Sequence, residues 1–260
     1  MSQTDLDTNL LAGCFRNCSV GHSILHYSIL DSTMDETRRL SFEGLEEGTI
    51  VIAEEQISGR GRYGRAWISP KGENLAFSVL LKPESAQLPF LNMAATLSVC
   101  KMISNSYNLD TTVKWPNDVR VNERKISGIL VETDVQSKDV INAIIGVGIN
   151  VNLNPSKFSD IATISTSIKN EIGQAAERSE VMNGFLRYFN HYYDLIRKGN
   201  SLTTEWSLKL DTLGSYVRVK WRNKIFEGRA DQVDEQGNLE IIQTDGSVIT
   251  VMAGEVTLQL

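Results

Sequence analysis

The segment GRGRYGRAW at residues 59–67 places three glycines and three arginines within seven consecutive positions. Glycine accepts positive φ and, because it lacks a Cβ, lets backbone N–H groups close around an anion. The arginine guanidinium adds a planar fork that pairs with carboxylate and phosphate oxygens through two hydrogen bonds. The segment predicts a loop that is mobile when empty and wraps an anionic ligand. A solvated basic surface loop is the alternative.

Three further segments place polar residues at strand ends: KWPNDV (114–119), KISGILVET (125–133) and GVGINVN (146–152). Lys125 opens an otherwise apolar strand, so it is either an edge residue with its amine in solvent or a fixed cation aimed at phosphate. Asn150 ends a buried strand, and its amide can read an adenine edge. For each segment, ordinary strand-end chemistry is the alternative.

Gly59, Gly61 and Gly64 also fit the G-x-G-x-x-G fingerprint of dinucleotide-binding loops. That fingerprint requires a helix directly after the loop, because the pyrophosphate binds at the helix N-terminus. Here Pro70 and Gly72 interrupt the following segment, which then continues as an expected strand. A Rossmann site is therefore a remote alternative.

Cys14, Cys18, His22 and His26 follow one another at steps of four residues, and all four are zinc-ligand types. On one helix the outer pair would lie about 18 Å apart. One zinc ion needs all its ligands within about 2.3 Å, and the spacing lacks the return loop of a zinc finger. We expect these residues to be structural rather than metal ligands.

Composition restricts the class of protein. The chain has 260 residues, 41% hydrophobic content and a formal net charge of −6. An acidic chain argues against bulk nucleic-acid binding, which needs a basic face. Three cysteines, no basic leader and no long apolar run favour a cytoplasmic protein without a signal peptide or membrane span.

Apolar periodicity predicts the elements that hold these segments. Strands are expected at 23–30 and 73–82, and buried strands at 49–55 and 140–152. A hairpin is expected within 116–133, turning at Asn122-Glu123-Arg124. A buried helix is expected at 90–107 and an amphipathic one at 176–198. The inner face of the second helix carries Phe185, Phe189, Tyr192 and Ile196.

The N-terminal part contains one helix signal. Ser32 and Thr33 each have an acidic residue three positions later, which is a capping-box pattern and predicts a short helix. We expect residues 1–22 to form an irregular arm. A helix-turn-helix module needs about 50 residues ahead of the first strand, so a DNA-binding role is not expected.

The domain organisation follows from a change of pattern near residue 212. Residues 23–212 mix strands and helices without strict βαβ alternation, which indicates an α+β domain with a mixed sheet flanked by helices. From residue 213 to 260 about five short β runs, separated by turn residues, indicate a small barrel or sandwich.

The four segments resemble one known family. GRGRYGRAW, KWPNDV, KISGILVE and GVGIN occur in the order and approximate spacing of biotin protein ligases, and the likeness runs from about Ser32 to the end of the chain. The resemblance implies a synthetase-like catalytic domain of the biotin/lipoate ligase type, with a small SH3-like barrel at residues 213–260. The N-terminus resembles that of the ligase-only class, which lacks a DNA-binding domain.

The resemblance also implies an activity, carbon–nitrogen bond formation driven by ATP. Biotin and ATP form biotinyl-5′-AMP and pyrophosphate, and biotin is then transferred to a lysine of a biotin carboxyl carrier domain. Mg²⁺ is expected to enter on the ATP phosphates rather than in a dedicated protein site, so no metal-binding residue is predicted. A cytoplasmic location is expected, with neither DNA nor membrane as partner, and a homodimer is possible for the family.

By resemblance, Lys125 and Arg62 are the expected catalytic residues. The expected biotin-binding residues are Ser32, Thr33, Met34, Gln56, Arg60, Gly61, Arg62, Lys125 and Gly128. The expected ATP and adenylate-binding residues are Arg62, Arg65, Trp67, Asn117, Asp118, Lys125 and Asn150. Met34 departs from the family, in which many members carry Asn. Either a backbone group takes over the hydrogen bond that Met cannot make, or the contacts to biotin differ here.

Two other activities compete with this interpretation. Lipoate or octanoate ligases share the fold but carry different loops, and the sequence matches none of their signatures. A non-catalytic protein that binds biotinyl-adenylate is the second alternative, against which the intact Arg62 and Lys125 argue.

Overall fold

The computed structural model of the chain describes residues 6–136, 139–221, 224–252 and 254–259. The helices in these residues are α1 (Thr8–Cys14), α2 (Thr33–Phe42), α3 (Leu88–Tyr107), α4 (Ile168–Ile172), α5 (Arg178–Arg197) and α6 (Thr203–Ser207). The strands are β1 (Ile24–Tyr27), β2 (Ile50–Ala53), β3 (Leu75–Leu81), β4 (Thr112–Lys114), β5 (Asp118–Val121), β6 (Arg124–Gln136), β7 (Asp139–Ile149), β8 (Tyr216–Trp221), β9 (Lys224–Val233), β10 (Leu239–Ile242), β11 (Val248–Val251) and β12 (Glu255–Gln259).

The large sheet has seven strands in the order β1-β2-β3-β7-β6-β5-β4. β1 and β2 pair in parallel, whereas every other neighbouring pair is antiparallel. The sheet is therefore mixed, which confirms the α+β class. β5 and β6 form the predicted hairpin, and Asn122 and Glu123 both have positive φ at its turn.

Both faces of this sheet are covered, because all seven residues of β3 are buried. On one face α5 packs through aromatic rings: Phe77 and Phe185 meet edge to face at 5.1 Å, and Phe185 stacks on Phe189 at 5.4 Å. On the other face Met34 of α2 packs on Leu80 of β3. The inner face predicted for the amphipathic helix is confirmed, since all four of its residues are buried.

Helix α2 begins where the capping pattern predicts. Ser32 is the N-cap, and its side chain accepts a hydrogen bond from the Asp35 N–H at 3.4 Å. Such a cap satisfies one of the N–H groups that a helix start leaves unpaired. The Ser32 side chain is thereby held at the end of β1, beside the GRGRYGRAW loop.

The expectation of an irregular arm at the N-terminus is wrong for part of that segment. Residues 1–5 lie outside the described residues, but Thr8–Cys14 form α1, which Asp7 caps by accepting from the Leu10 N–H at 2.9 Å. Leu11 and Phe15 are buried in the main core. Tertiary burial therefore stabilises a helix that is too short to be recognised from periodicity.

Strands β8 to β12 form a separate antiparallel sheet in the order β11-β10-β9-β8-β12, as the C-terminal β pattern predicts. The domain that contains this sheet contacts the N-terminal domain at defined points. The Trp115 indole donates to the Gly237 carbonyl at 3.0 Å, and the Thr203 hydroxyl donates to the Glu235 carbonyl at 2.7 Å. Among the described helices, none is long and apolar enough to cross a membrane.

Candidate active site

A cavity of about 850 Å³ opens above strands β6 and β7, between the GRGRYGRAW loop, the start of α2 and the loop at residues 160–165. Gly254 and Val256 of the C-terminal segment complete its wall. Every site residue predicted from the sequence lines it: Ser32, Thr33, Met34, Gln56, Arg60, Gly61, Arg62, Arg65, Trp67, Asn117, Asp118, Lys125, Gly128 and Asn150. The structure therefore brings together all the predicted residues.

The face of β6 and β7 that lines the cavity forms its floor, and two glycines of this floor lie beneath Trp67. Gly128 of β6 pairs in register with Gly148 of β7. A Cβ at Gly148 would lie 2.3 Å from Trp67 Cε2, and one at Gly128 would lie 3.2 Å from Trp67 Cζ3. Gly148 must lack a side chain for the indole to lie on the sheet, and a side chain at Gly128 would crowd the ring. The indole Nε1 is buried and has no hydrogen-bond partner among the described residues.

Lys125 is held at the same floor. Its backbone N–H donates to the Ile164 carbonyl at 2.9 Å, and its carbonyl accepts from the Thr166 N–H at 2.9 Å. Its ammonium lies 2.6 Å from Asp118 Oδ1 and 5.5 Å from the centroid of the Trp67 ring. The structure thus places a fixed cation, one-third exposed, beside the flat face of an indole.

The GRGRYGRAW loop closes on itself as a short hairpin. The Trp67 N–H donates to the Gly59 carbonyl at 2.8 Å, and the Gly61 N–H donates to the Arg65 carbonyl at 2.7 Å. Tyr63 takes up the bend with φ of 58°. A non-glycine residue in this left-handed region is uncommon, so the loop carries a local conformational cost at its tip.

Arg62 points toward the cavity and is held by neighbours on both sides. Its guanidinium donates to Asn117 Oδ1 at 3.1 Å and to the Tyr63 hydroxyl at 3.2 Å. Asn117 in turn donates to the Ile129 carbonyl at 2.5 Å. Asn117 was predicted to line the adenylate site, and its observed contacts orient Arg62.

Arg60 is already paired with carboxylates. It donates to Asp35 at 2.6 Å and to Glu132 at 3.2 Å, and it reaches the Ser32 hydroxyl at 3.3 Å. The hydrogen bond to Asp35, with a further contribution from Glu132, raises the pKa of the Arg60 guanidinium, although burial acts in the opposite direction. The guanidinium therefore fastens the loop to α2 and β6.

The cavity wall beside Ser32 and the Arg60 guanidinium carries uncharged polar groups. Gln56 Oε1 accepts from the Thr33 N–H at 2.8 Å and from the Thr33 hydroxyl at 3.1 Å, and this hydroxyl also meets the Ser78 hydroxyl at 2.8 Å. Met34 is buried, and a Cβ at Gly146 would lie 2.6 Å from its sulfur. Hydroxyl and amide groups beside a thioether suit an uncharged polar ring.

Two polar residues in or behind the cavity wall were missed from the sequence. Asn74, directly before β3, lies behind the lining residue Asn150 and donates to its Oδ1 at 3.3 Å, and nothing but its polarity in an apolar run could have indicated a role. Lys114 lines the cavity, and burial lowers the pKa of its ammonium while Asp118 acts in the opposite direction. Its position directly before a buried Trp115 was the available signal.

The acidic, histidine and cysteine side chains bear on whether the chain itself can hold a metal ion. In residues 6–136, 139–221, 224–252 and 254–259 no group of three or more His, Cys, Asp and Glu side chains could hold a metal ion. His26 instead pairs with Glu54 at 2.9 Å. Within the cavity, the Asp118 carboxylate lies beside Lys125. Carboxylate oxygens suit a hard cation that arrives with phosphate oxygens.

The chain is similar to proteins of named function. Residues 25–150 match the Biotin/lipoate A/B protein ligase family, and residues 212–258 match the Biotin protein ligase C terminal domain. The bifunctional ligase/repressor BirA of Bacillus subtilis is 30% identical over 244 residues, which cover 92% of this chain and 75% of that protein. The biotin--[acetyl-CoA-carboxylase] ligase of Paracoccus denitrificans is 29% identical over 233 residues, with coverage of 84% and 90%.

The fold agrees with these sequence matches. The solved structure of a biotin protein ligase from Aquifex aeolicus in complex with biotin and ATP has a TM-score of 0.77 at 28% identity, and the match covers 91% of this chain and 98% of that one. Similarity therefore extends over the large sheet, the cavity and the C-terminal sheet together. On this combined likeness of sequence and fold, the chain belongs to the biotin protein ligase family.

Proposed function

We propose that this chain is an ATP-dependent biotin protein ligase that uses the 850 Å³ cavity for both of its reactions. The observation that carries the proposal is that Lys125 and Arg62 line the same cavity as the uncharged polar groups of Thr33 and Gln56. A carboxylate and a triphosphate repel each other, so a site that joins them needs fixed cations where they meet.

In the first reaction a biotin carboxylate oxygen attacks the α-phosphorus of ATP. The bond from that phosphorus to the bridging oxygen breaks, and pyrophosphate leaves with the electron pair. Lys125 and Arg62 stabilise the charge on the phosphoryl oxygens, and because both are held by hydrogen bonds or ion pairs they need little rearrangement.

In the second reaction the ε-amine of a lysine on a carrier domain attacks the carbonyl carbon of biotinyl-5′-AMP. The carbon–oxygen bond to phosphate breaks, AMP leaves, and the amine loses a proton. The substrates supply both nucleophiles, so the chain acts mainly by positioning and electrostatics. We propose that the carrier is the biotin carboxyl carrier domain of a biotin-dependent carboxylase, in keeping with the name of the Paracoccus relative.

Individual residues take proposed roles in this scheme. Ser32, Thr33 and Gln56 hydrogen-bond the ureido ring of biotin, while Met34 and Gly128 shape the floor. Arg60 and Gly61 place the loop over the bound molecule. The ATP side is formed by Arg65, Trp67, Asn117, Asp118 and Asn150.

Mg²⁺ is proposed to enter with ATP. It would neutralise part of the triphosphate charge, and Asp118 is the carboxylate that would hold it. The expected absence of DNA binding, a possible homodimer and a cytoplasmic location stay predictions.

The test is ATP–pyrophosphate exchange with Mg²⁺ and each of biotin, lipoate, octanoate or no acid. Exchange with biotin alone is expected, followed by transfer of labelled biotin to a carrier domain. Exchange with lipoate or octanoate instead would assign the sister activity. Folded protein that exchanges with no acid would contradict the enzymatic role.

A further inference from the structure

We propose that Asn74 is a specificity-determining residue that locks the amide of Asn150 in one orientation, so that the cavity accepts adenine and rejects purines whose edge has the opposite hydrogen-bond pattern. The inference rests on the proposed use of ATP. The observation behind it is a chain of hydrogen bonds that joins Asn74 to Asn150 and leaves neither amide able to flip.

The orientation of Asn74 is set by two backbone groups. Its Oδ1 accepts from the Val151 N–H at 3.2 Å, and its Nδ2 donates to the Ile68 carbonyl at 3.2 Å. An N–H can only donate and a carbonyl can only accept, so exchanging the oxygen and nitrogen of Asn74 would break both bonds. Asn74 is 2% exposed, which makes either loss costly.

The backbone of Asn74 is itself anchored. Its carbonyl accepts from Arg178 Nη1 at 3.4 Å, and this guanidinium pairs with Glu54 at 2.8 Å. Arg178 and Glu54 are both buried. Asn74 is therefore held both through its main chain and through its side chain.

Asn74 then determines which way Asn150 points. Asn74 Nδ2 also donates a hydrogen bond to Asn150 Oδ1 at 3.3 Å, while Asn150 Nδ2 donates to the Thr166 carbonyl at 3.0 Å. The backbone of Asn150 is pinned as well, by bonds to the Ile126 carbonyl and from the Ile168 N–H. Asn150 is 3% exposed, and its amide plane is fixed.

The locked amide keeps one N–H and one oxygen lone pair for a ligand. On its Watson–Crick edge adenine presents the 6-amino donor next to the N1 acceptor, which complements this pair. Hypoxanthine presents the 6-oxo acceptor next to the N1–H donor, which is the inverse pattern. A rotatable amide could match either base by flipping, whereas a locked amide matches only adenine.

The neighbouring indole supports a planar ligand here. Trp67 lies on Gly148, two residues before Asn150, and presents a flat apolar surface. Its buried Nε1–H has no hydrogen-bond partner among the described residues, so this N–H can still donate to an acceptor. Stacking and edge recognition are thus available within one part of the cavity.

The experiment compares ATP with inosine triphosphate in biotin-dependent pyrophosphate exchange, for the full chain and for Asn74→Asp and Asn74→Ala. Asn74→Asp retains the acceptor for Val151 but loses both donated bonds. The matched control is Asn142→Asp, also on buried Asn, whose side chain donates to Ser41 at 3.3 Å outside the cavity lining.

The expected ratio of kcat/KM for ATP over inosine triphosphate is at least about tenfold in the original chain and falls about tenfold in Asn74→Asp, with the KM for biotin unchanged. Asn142→Asp should keep the original ratio. Because the ratio is taken within one protein, partial unfolding cancels.

Two outcomes would overturn the inference: equal use of both nucleotides by the original chain, or an unchanged ratio in folded Asn74 variants. Calorimetric binding of the two nucleotides gives the same comparison for a variant too slow to assay. If neither Asn74 variant folds, the original chain can still overturn the inference by using inosine triphosphate as well as ATP. Absence of any exchange with ATP and biotin would instead reject the proposed function.

Discussion

Lys125 reaches Asp118 across the β5–β6 hairpin, with 2.6 Å between the ammonium nitrogen and Oδ1. Asp118 pairs in register with Gly128, and a Cβ at Gly128 would lie 2.9 Å from Lys125 Cε. Gly128 therefore leaves room for the aliphatic part of the Lys125 side chain. The three-residue spacing between Lys125 and Gly128 thus determines the position of the ammonium group. Its charge is balanced by Asp118 until phosphate arrives.

Lys125→Met tests whether this cation stabilises the reacting phosphate. Methionine keeps an apolar stem of similar length, so the fold should persist while exchange falls by about 10² to 10³. Exchange kinetics and the melting temperature are measured together. The control is Lys157→Met, at an exposed lysine outside the cavity lining. A near-normal rate in Lys125→Met would remove the residue from the mechanism.

Asp118→Asn tests the proposed Mg²⁺ role. The substitution is isosteric but removes the negative charge, so the Mg²⁺ concentration for half-maximal exchange should rise several-fold. The measurement is a Mg²⁺ titration at fixed ATP and biotin. An unchanged titration midpoint with a lower maximal rate would mean that Asp118 acts only by placing Lys125.

Gly148→Ala tests whether the indole of Trp67 forms part of the nucleotide site. The new methyl group would lie 2.3 Å from the ring, so Trp67 must move, and overpacking of this kind costs about 1–3 kcal/mol. We expect the KM for ATP to rise about tenfold. Gly13→Ala is the control, since a Cβ there meets nothing within 4 Å. Equal KM values in the two variants would contradict the role.

The GRGRYGRAW loop should become more protected when ligands bind. Arg65 is exposed and Arg62 half-exposed at the bend, and closure over an adenylate would shield both peptide bonds from trypsin. Limited proteolysis is followed with and without biotin plus ATP, and the cut sites are identified by mass. Cleavage at the same rate in both conditions would show that the loop does not respond to ligand.

Much of the site follows from the sequence because its residues come in short contiguous segments. Lys125 and Gly128, or Gly59 to Trp67, are local patterns whose strand or loop setting the apolar periodicity reveals. The buried strands and the Ser32 cap follow from equally local rules.

The remaining features depend on pairing between distant segments. Asn74 matters only because β3 and β7 are neighbours, and Arg60 pairs with Glu132 only because β6 lies under the loop. Helix α1 forms because Leu11 and Phe15 find a core contributed by residues far along the chain. Composition and spacing contain none of these long-range contacts.

Cys100 on α3 predicts how stability changes at high pH. Burial raises the pKa of its thiol from 9.0 to about 11, so between these values the folded state keeps a proton that the unfolded chain has lost. The unfolded state then binds fewer protons, and the free energy of unfolding falls as the pH rises. The loss attributable to this one group is about 2 kcal/mol at pH 11.

Urea unfolding between pH 8 and pH 11 measures this dependence, and Cys100→Ala isolates it. Burial also raises the pKa of Tyr107 to about 12, which destabilises the fold in the same direction above pH 10. Because the variant retains that tyrosine, the difference in slope between the two proteins belongs to the thiol. Parallel curves would mean that Cys100 ionises equally in both states. Alkylation gives an independent reading, since at pH 8 iodoacetamide should modify exposed Cys14 rapidly and Cys100 only through unfolding.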